Sequence, residues 1–134
     1  MKIRLLIMMV GMACLLCMLC SGCADSKTPK NSENFVHAVG YFLETDENYF
    51  FVADGNSPMF TDKEFTMIFP VDETVVFDGI NSGDKIGIFI VTIGDSYPPV
   101  MDIHRIKLLE AGDISNIDEA VISELKGLGF HASE

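Results

Sequence analysis

The chain contains no tryptophan, and all four of its cysteines lie at or before residue 23. The rest of it has none, so the part that folds must hold together by its core rather than by disulfides. Basic side chains are also scarce, with nine Lys and Arg against 20 Asp and Glu and a net charge of −11. There is no basic stripe of the kind that marks nucleic-acid binding, and the net field repels DNA, RNA and anionic headgroups over about a Debye length. Phosphate-binding glycine loops, nucleotide fingerprints, zinc spacings and a G-x-S-x-G nucleophile elbow are all missing from the sequence. One long apolar run exists, residues 5–20, broken only by Gly11. It falls short of the roughly 20 residues that a spanning helix needs.

That run is what is most clearly present. Lys2 and Arg4 precede it, and Ser21-Gly22 follows it as a small-residue cleavage site. Cleavage there makes Cys23 the first residue of the mature chain and the attachment point for a lipid. Only Cys23 has a small pair before it; Cys17 and Cys20 follow Leu16 and Leu19, and Cys20 stands where such signals usually carry a branched aliphatic residue. Three other readings compete: an uncleaved membrane anchor, a plain secretory signal, and an iron–sulfur or zinc site built from Cys14, Cys17, Cys20 and Cys23. Ferredoxin runs of this kind place three residues before the last cysteine and a proline after it, whereas here Ser21-Gly22 precedes Cys23 and Ala24 follows. The expected organisation is therefore a lipoprotein signal peptide over 1–22, a lipidated N-terminus with a polar tether over 23–34, and one folded domain over 35–134. The expected location is extracytoplasmic, held on the cell membrane by acyl chains such as palmitate, two or more of which anchor stably. Eleven tether residues with coil statistics span roughly 17–20 Å.

Loss of the leader removes two basic residues and no acid, leaving 112 residues with seven basic and 20 acidic side chains, a charge near −13. That length supports one domain. The acidity serves to keep a tethered domain soluble; the sharper alternative is a cationic ligand or partner.

From Phe35 onward, β-branched and aromatic residues alternate with turn signals about every ten positions, which predicts a small antiparallel barrel or sandwich. Strands are expected at 35–43, 49–53, 63–69 (stopped by Pro70), 85–93 and 100–109, with a short extra one at 74–77. The 85–93 run is apolar on both faces and reads as the central strand, with Gly87 marking a bend or a close approach. The apolar positions of the last strand change parity between Ile103 and Ile106, which predicts a bulge. A helix should close the chain, capped by Ser115 or Asn116, with Asp118 and Glu119 in its first turn and Gly127 or Gly129 at its end. Its apolar stripe of Ile117, Ala120, Val121, Leu125 and Leu128 should cover the 86–93 run.

Gly83-Asp84-Lys85-Ile86, then Asp95-Ser96-Tyr97-Pro98-Pro99, together with Gly40-Tyr41 and Val71-Asp72-Glu73-Thr74, form a pattern over residues 36–109. It resembles that of small secreted lipoproteins of Gram-positive bacteria, largely of uncharacterised function, that carry an OB-like β-barrel. The resemblance implies a mainly β fold, a five-stranded OB-like antiparallel barrel with one C-terminal helix. It says almost nothing about activity. OB barrels often bind oligonucleotides or oligosaccharides, and the charge opposes the first of these.

Several clusters carry residue types capable of chemistry. Asp102 and His104 would share a face of an ideal strand, and with Ser96 upstream they suggest an envelope hydrolase, although no nucleophile elbow supports it. Glu44 to Asn48 resembles the start of a calcium loop but has Tyr49 where glycine belongs and Gly55 where the bidentate acid belongs. Asp72-Glu73, and Asp78 with Asp84, are weak calcium candidates without a selecting spacing. The expectation is thus a non-enzymatic binding or interaction module with no catalytic residue, metal or cofactor, whose candidate binding loop is Asp95, Ser96, Tyr97 and Pro98. The alternatives are the Asp102/His104 hydrolase and an immunity-type protein-interaction lipoprotein. The expected partners are the membrane, through Cys23, and an unidentified protein or cell-wall ligand, with no nucleic acid.

Overall fold

The computed structural model describes residues 36–133; the expected leader, Cys23 and the expected tether lie outside them. Among the described residues no helix is long and apolar enough to cross a membrane. The described residues form a mainly β fold, a five-stranded mixed sheet with one α-helix: β1 (Val36–Glu44), β2 (Tyr49–Ala53), β3 (Phe65–Pro70), β4 (Lys85–Gly94), β5 (Val100–Glu110) and α1 (Glu119–Gly127). A single 3-10 turn, Ile114–Asn116, precedes the helix.

The strands pair in the order β1-β2-β3-β5-β4, and β4 pairs back onto β1, so the hydrogen-bonded ladder forms a ring. Four pairings are antiparallel, but β3 and β5 run parallel, Met67 opposite Val100 and Pro70 opposite Ile103. The expectation of a wholly antiparallel sheet is corrected at this pair. A parallel neighbour needs a long crossover, and residues 71–99 supply it, with β4 inside. The short strand expected at 74–77 does not form. Asp72 accepts hydrogen bonds from the Thr74 N–H and hydroxyl, which turns the segment, and only Val75 is buried there. The bulge expected between Ile103 and Ile106 is present. Ile90 faces Ile103 while Phe89 faces Arg105, leaving His104 as the extra residue.

Alternation splits the apolar residues into two cores. Ala38, Phe42, Phe51, Ile68, Ile86, Ile88, Ile90, Met101 and Ile103 fill the ring. The aromatic Phe51 fits because it lies against Gly40, where a Cβ would stand 2.6 Å from its ring. The second core is outside: Leu43, Phe50, Val52 and Phe65 pack against Ile117, Val121 and Leu125. The helix therefore covers β1, β2 and β3, and β2 rather than β4 is the strand buried on both faces. The expected cover over 86–93 is absent, since Val91 and Ile93 are 46% and 43% exposed. On that outer face Phe89 is flanked instead by His37, at 4.9 Å between ring centroids, and by Arg105, 5.5 Å from its centroid. His37 also occupies the space in front of Gly87, 2.7 Å from where a Cβ would be. The close neighbour of Gly87 is thus a side chain, where the expectation was a bend or an approaching backbone.

A buried carboxylate routes the chain to that helix. Asp84 is 1% exposed. One oxygen accepts from the Asn81 N–H and the other from the Gly112 N–H, each at 2.8 Å. Beside it the Gly83 N–H donates to the Phe42 carbonyl at 2.8 Å, and the Asn116 amide donates to the Gly83 carbonyl at 3.0 Å. Gly83 has φ +91, and a Cβ there would lie 1.6 Å from the Asp113 carbonyl oxygen. Only glycine lets the two segments touch. The helix caps also shift by a few residues. Asp113 caps the 3-10 turn and Asp118 caps α1, accepting from the Ala120 N–H, while Ser115 and Asn116 lie inside the turn.

Urea denaturation should therefore show Gly83→Ala and Asp84→Ala each destabilised by about 2–3 kcal/mol, from overlap and from stranded N–H donors respectively. Thr66 gives the opposite sign. It is 0% exposed, and its hydroxyl has no hydrogen-bond partner among the described residues. Thr66→Val should stabilise the fold by about 1 kcal/mol, because the hydroxyl's desolvation is uncompensated.

Candidate binding groove at the helix and the 95–99 loop

The β4–β5 connection, the turn before β3 and one flank of α1 enclose a groove of about 650 Å³. Its floor is apolar. Phe65 belongs to the outer core, and Val121 comes up from the same core along the helix. Residues four apart on a helix share a face, so Ala120 and Glu124 form the next stripe beside Val121 and Leu125. Both line the groove.

The opposite wall is Tyr97. The Tyr97–Pro98 peptide is cis, and two contacts fasten the loop. The Ser96 hydroxyl donates to the Pro98 carbonyl at 3.0 Å, and the Met67 N–H of β3 donates to the Pro99 carbonyl at 2.8 Å. The Tyr97 ring is 69% exposed and stands 6.4 Å from the Phe65 ring. Its hydroxyl donates to the Glu124 carboxylate, bridging 27 residues of sequence. That bond holds the phenol's pKa above its ordinary value, because ionising the phenol would remove the donor and place two anions together.

The third side is the turn at 61–64. Lys63 adopts φ +64 there and sends its ammonium 2.6 Å from the Asp118 carboxylate, the helix cap. Lys63 is raised and Asp118 lowered, each first by this hydrogen-bonded contact. Asp118 is lowered further by the Ala120 N–H. Glu64 accepts from the Thr61 N–H at 2.9 Å. Asp62, Glu64 and Glu124 complete the polar lining, and none of the three is in an ion pair among the described residues.

Of the four loop residues expected to bind, Tyr97 lines this groove; Asp95, Ser96 and Pro98 do not, and Pro99 does. Lys63, Phe65 and Glu124 were missed. Lys63 reads as the first residue of a strand, and Glu124 as one more solvated helix acid. A sequence signal did exist for Glu124, which lies four residues after Ala120 and next to the Val121/Leu125 stripe.

Ser96 and Asp102, named in the hydrolase alternative, have other hydrogen-bond partners. The Asp102 carboxylate accepts from the Thr92 hydroxyl at 2.7 Å, the Ser96 hydroxyl is given to Pro98, and His104 is the bulged residue. His104 contributes to the field on Asp72, whose carboxyl is lowered chiefly by Thr74. Asp84, considered as a calcium ligand with Asp78, gives its oxygens to backbone donors. Comparison with known proteins finds no matching family model, no matching curated protein and no matching solved structure.

Asp118 supplies a pH prediction. Its folded pKa is lowered, so the stability it adds is fully present above the ordinary carboxylate value of 3.8 and is lost as the pH falls through the lowered one. The Tm gap between the native chain and Asp118→Ala should be constant near neutrality and close below about pH 4. Glu124→Ala should bring the Tyr97 titration, followed by ring carbon NMR, down towards 10.0.

Proposed function

We propose that this chain is a membrane-anchored extracytoplasmic lipoprotein whose OB-like barrel acts as a non-enzymatic binding module of the cell envelope. The groove beside Tyr97 is its ligand site. The observation that carries the reading is the posture of Tyr97. A large aromatic side chain stands mostly in solvent at the mouth of a concave, apolar-floored groove and is held there by Glu124. Grooves with an apolar floor and a few convergent polar groups are where small ligands bind, and connections on a rigid scaffold carry function disproportionately.

The ring order, with β4 returning to β1 and β3 parallel to β5, supports an OB-like barrel. In such barrels ligands lie against strands 2 and 3 and the adjoining loops. Here α1 occupies the outside of β2 and β3 with its own apolar stripe. Binding is displaced to the rim between the helix and the β4–β5 loop. The leader pattern and Cys23 support the address, and the Gly83-Asp84 and Ser96-Tyr97-Pro98 elements keep the likeness to Gram-positive lipoproteins as part of the proposal.

Against hydrolysis stands the separate engagement of Ser96 and Asp102. Membrane fractionation tests the address. The native protein should sediment with membranes and yield a diacylated N-terminal cysteine by mass spectrometry, while Cys23→Ala should lose the acylated species and leave the lipid-anchored fraction. Retention of the unacylated variant in the bilayer would replace the lipid with an uncleaved anchor.

A further inference from the structure

We infer that the groove takes a primary alkylammonium group, with the alkyl chain along Phe65 and Val121 and the cation between the Tyr97 ring and Glu124. The inference rests on the binding reading and names the chemistry of its ligand. Size and shape come first. A groove of about 650 Å³ with an apolar floor admits a chain of several methylenes, whose burial against Phe65 and Val121 is favourable.

Charge complementarity then selects the head group. Lys63 is the one cation among the groove's lining residues, and Asp118, at 2.6 Å, neutralises it. Asp62, Glu64 and Glu124 remain on the rim without an ion-pair partner among the described residues. An anionic ligand would face three carboxylates and a phenol ring whose face is itself negative. A cation meets attraction from each of them, because an ammonium over an aromatic face is held by the ring quadrupole.

Geometry places the two recognising groups together. Glu124 already accepts the Tyr97 hydroxyl, so the carboxylate and the ring are fixed relative to each other before any ligand arrives. A carboxylate has about four lone-pair sites, and this bond uses one. Tyr97 turns most of its surface to solvent, leaving a face for the cation. Two sources present the same chemistry: a free diamine, or the side chain of a lysine in an envelope peptide.

The experiment uses the full lipidated chain in zwitterionic nanodiscs, with NMR of the Val121 methyls and the Tyr97 ring. The probes are pentylamine, pentan-1-ol and pentanoate, which share one alkyl body and differ in head charge. Pentylamine should produce saturable shifts at both positions and bind about five-fold more tightly than pentan-1-ol, with pentanoate weakest. Glu124→Gln, which keeps an acceptor for the Tyr97 hydroxyl, should erase most of that preference. The binding of 1,5-diaminopentane against Nα-acetyl-lysine methylamide then distinguishes the two sources, and a clear advantage for either supports the inference. Equal affinity for the amine and the alcohol would overturn the cation inference and leave a groove that binds apolar chains. Absence of groove shifts with all three probes would overturn the binding reading as well.

Discussion

The position of the C-terminal quarter depends on the Asp84 carboxylate, buried between two chain segments that are otherwise strangers in sequence. It binds the Asn81 N–H on the turn leading into β4 and the Gly112 N–H on the segment leaving β5. A buried charge is tolerated only when its oxygens find donors, and here the donors are backbone groups three residues before Asp84 and 28 residues after it. Gly83 makes the contact sterically feasible by bringing no Cβ to it. Once the exit from β5 is fixed beside β1, Ile117 and the helix are delivered to the outside of β1, β2 and β3. Were the exit elsewhere, Phe50, Val52 and Phe65 would face water, and the floor of the groove would not exist.

The groove is thus a by-product of how the second core is closed. A helix of nine residues is too short to hold itself together in water, so it depends on Val121 and Leu125 for its place. Its ends are secured by Asp118 at the start and by the Phe130 N–H returning to the Leu125 carbonyl at 2.9 Å. Two side-chain contacts then fasten its exposed flank to the rest of the domain, Lys63 to Asp118 and Tyr97 to Glu124. Both are solvent-facing, so their role is positional; exposed contacts of this type contribute little to stability. They set the width of the groove and the posture of its aromatic wall. The covered β2–β3 surface and the uncovered Val91/Ile93 surface are two sides of one choice, since a single short helix can shield only one face.

Much of this was legible in residue order. Tyr49 to Ala53 and Lys85 to Gly94 announced themselves by composition, and the change of parity between Ile103 and Ile106 foretold the bulge at His104. The double-apolar signature applies to β2 as well as to β4. Both strands bury one face inside the ring, and periodicity does not say which outer face the helix will choose. The Thr74–Phe77 stretch has strand composition but sits in a crossover where Asp72 bends the backbone, so local chemistry overrode propensity. Tyr97 stands out in the sequence as an aromatic in a proline turn; Glu124 and Lys63 do not, because a charged residue on a short helix or at a turn reads as solvated until its neighbour is known.

The sequence by itself determined the acidity, the lack of cysteine after residue 23, the strand periods and the closing helix, the last two written within windows of about ten residues. Tertiary structure decided that β4 returns to β1, that β3 and β5 run parallel, that the helix lies over β2, and that Tyr97 meets Glu124. Each of these joins groups tens of residues apart whose encounter depends on how the whole chain shares out its apolar surface. Local patterns fix which face of a segment seeks cover. The competition among all the segments, settled around one buried carboxylate and one bare glycine, fixes what covers it.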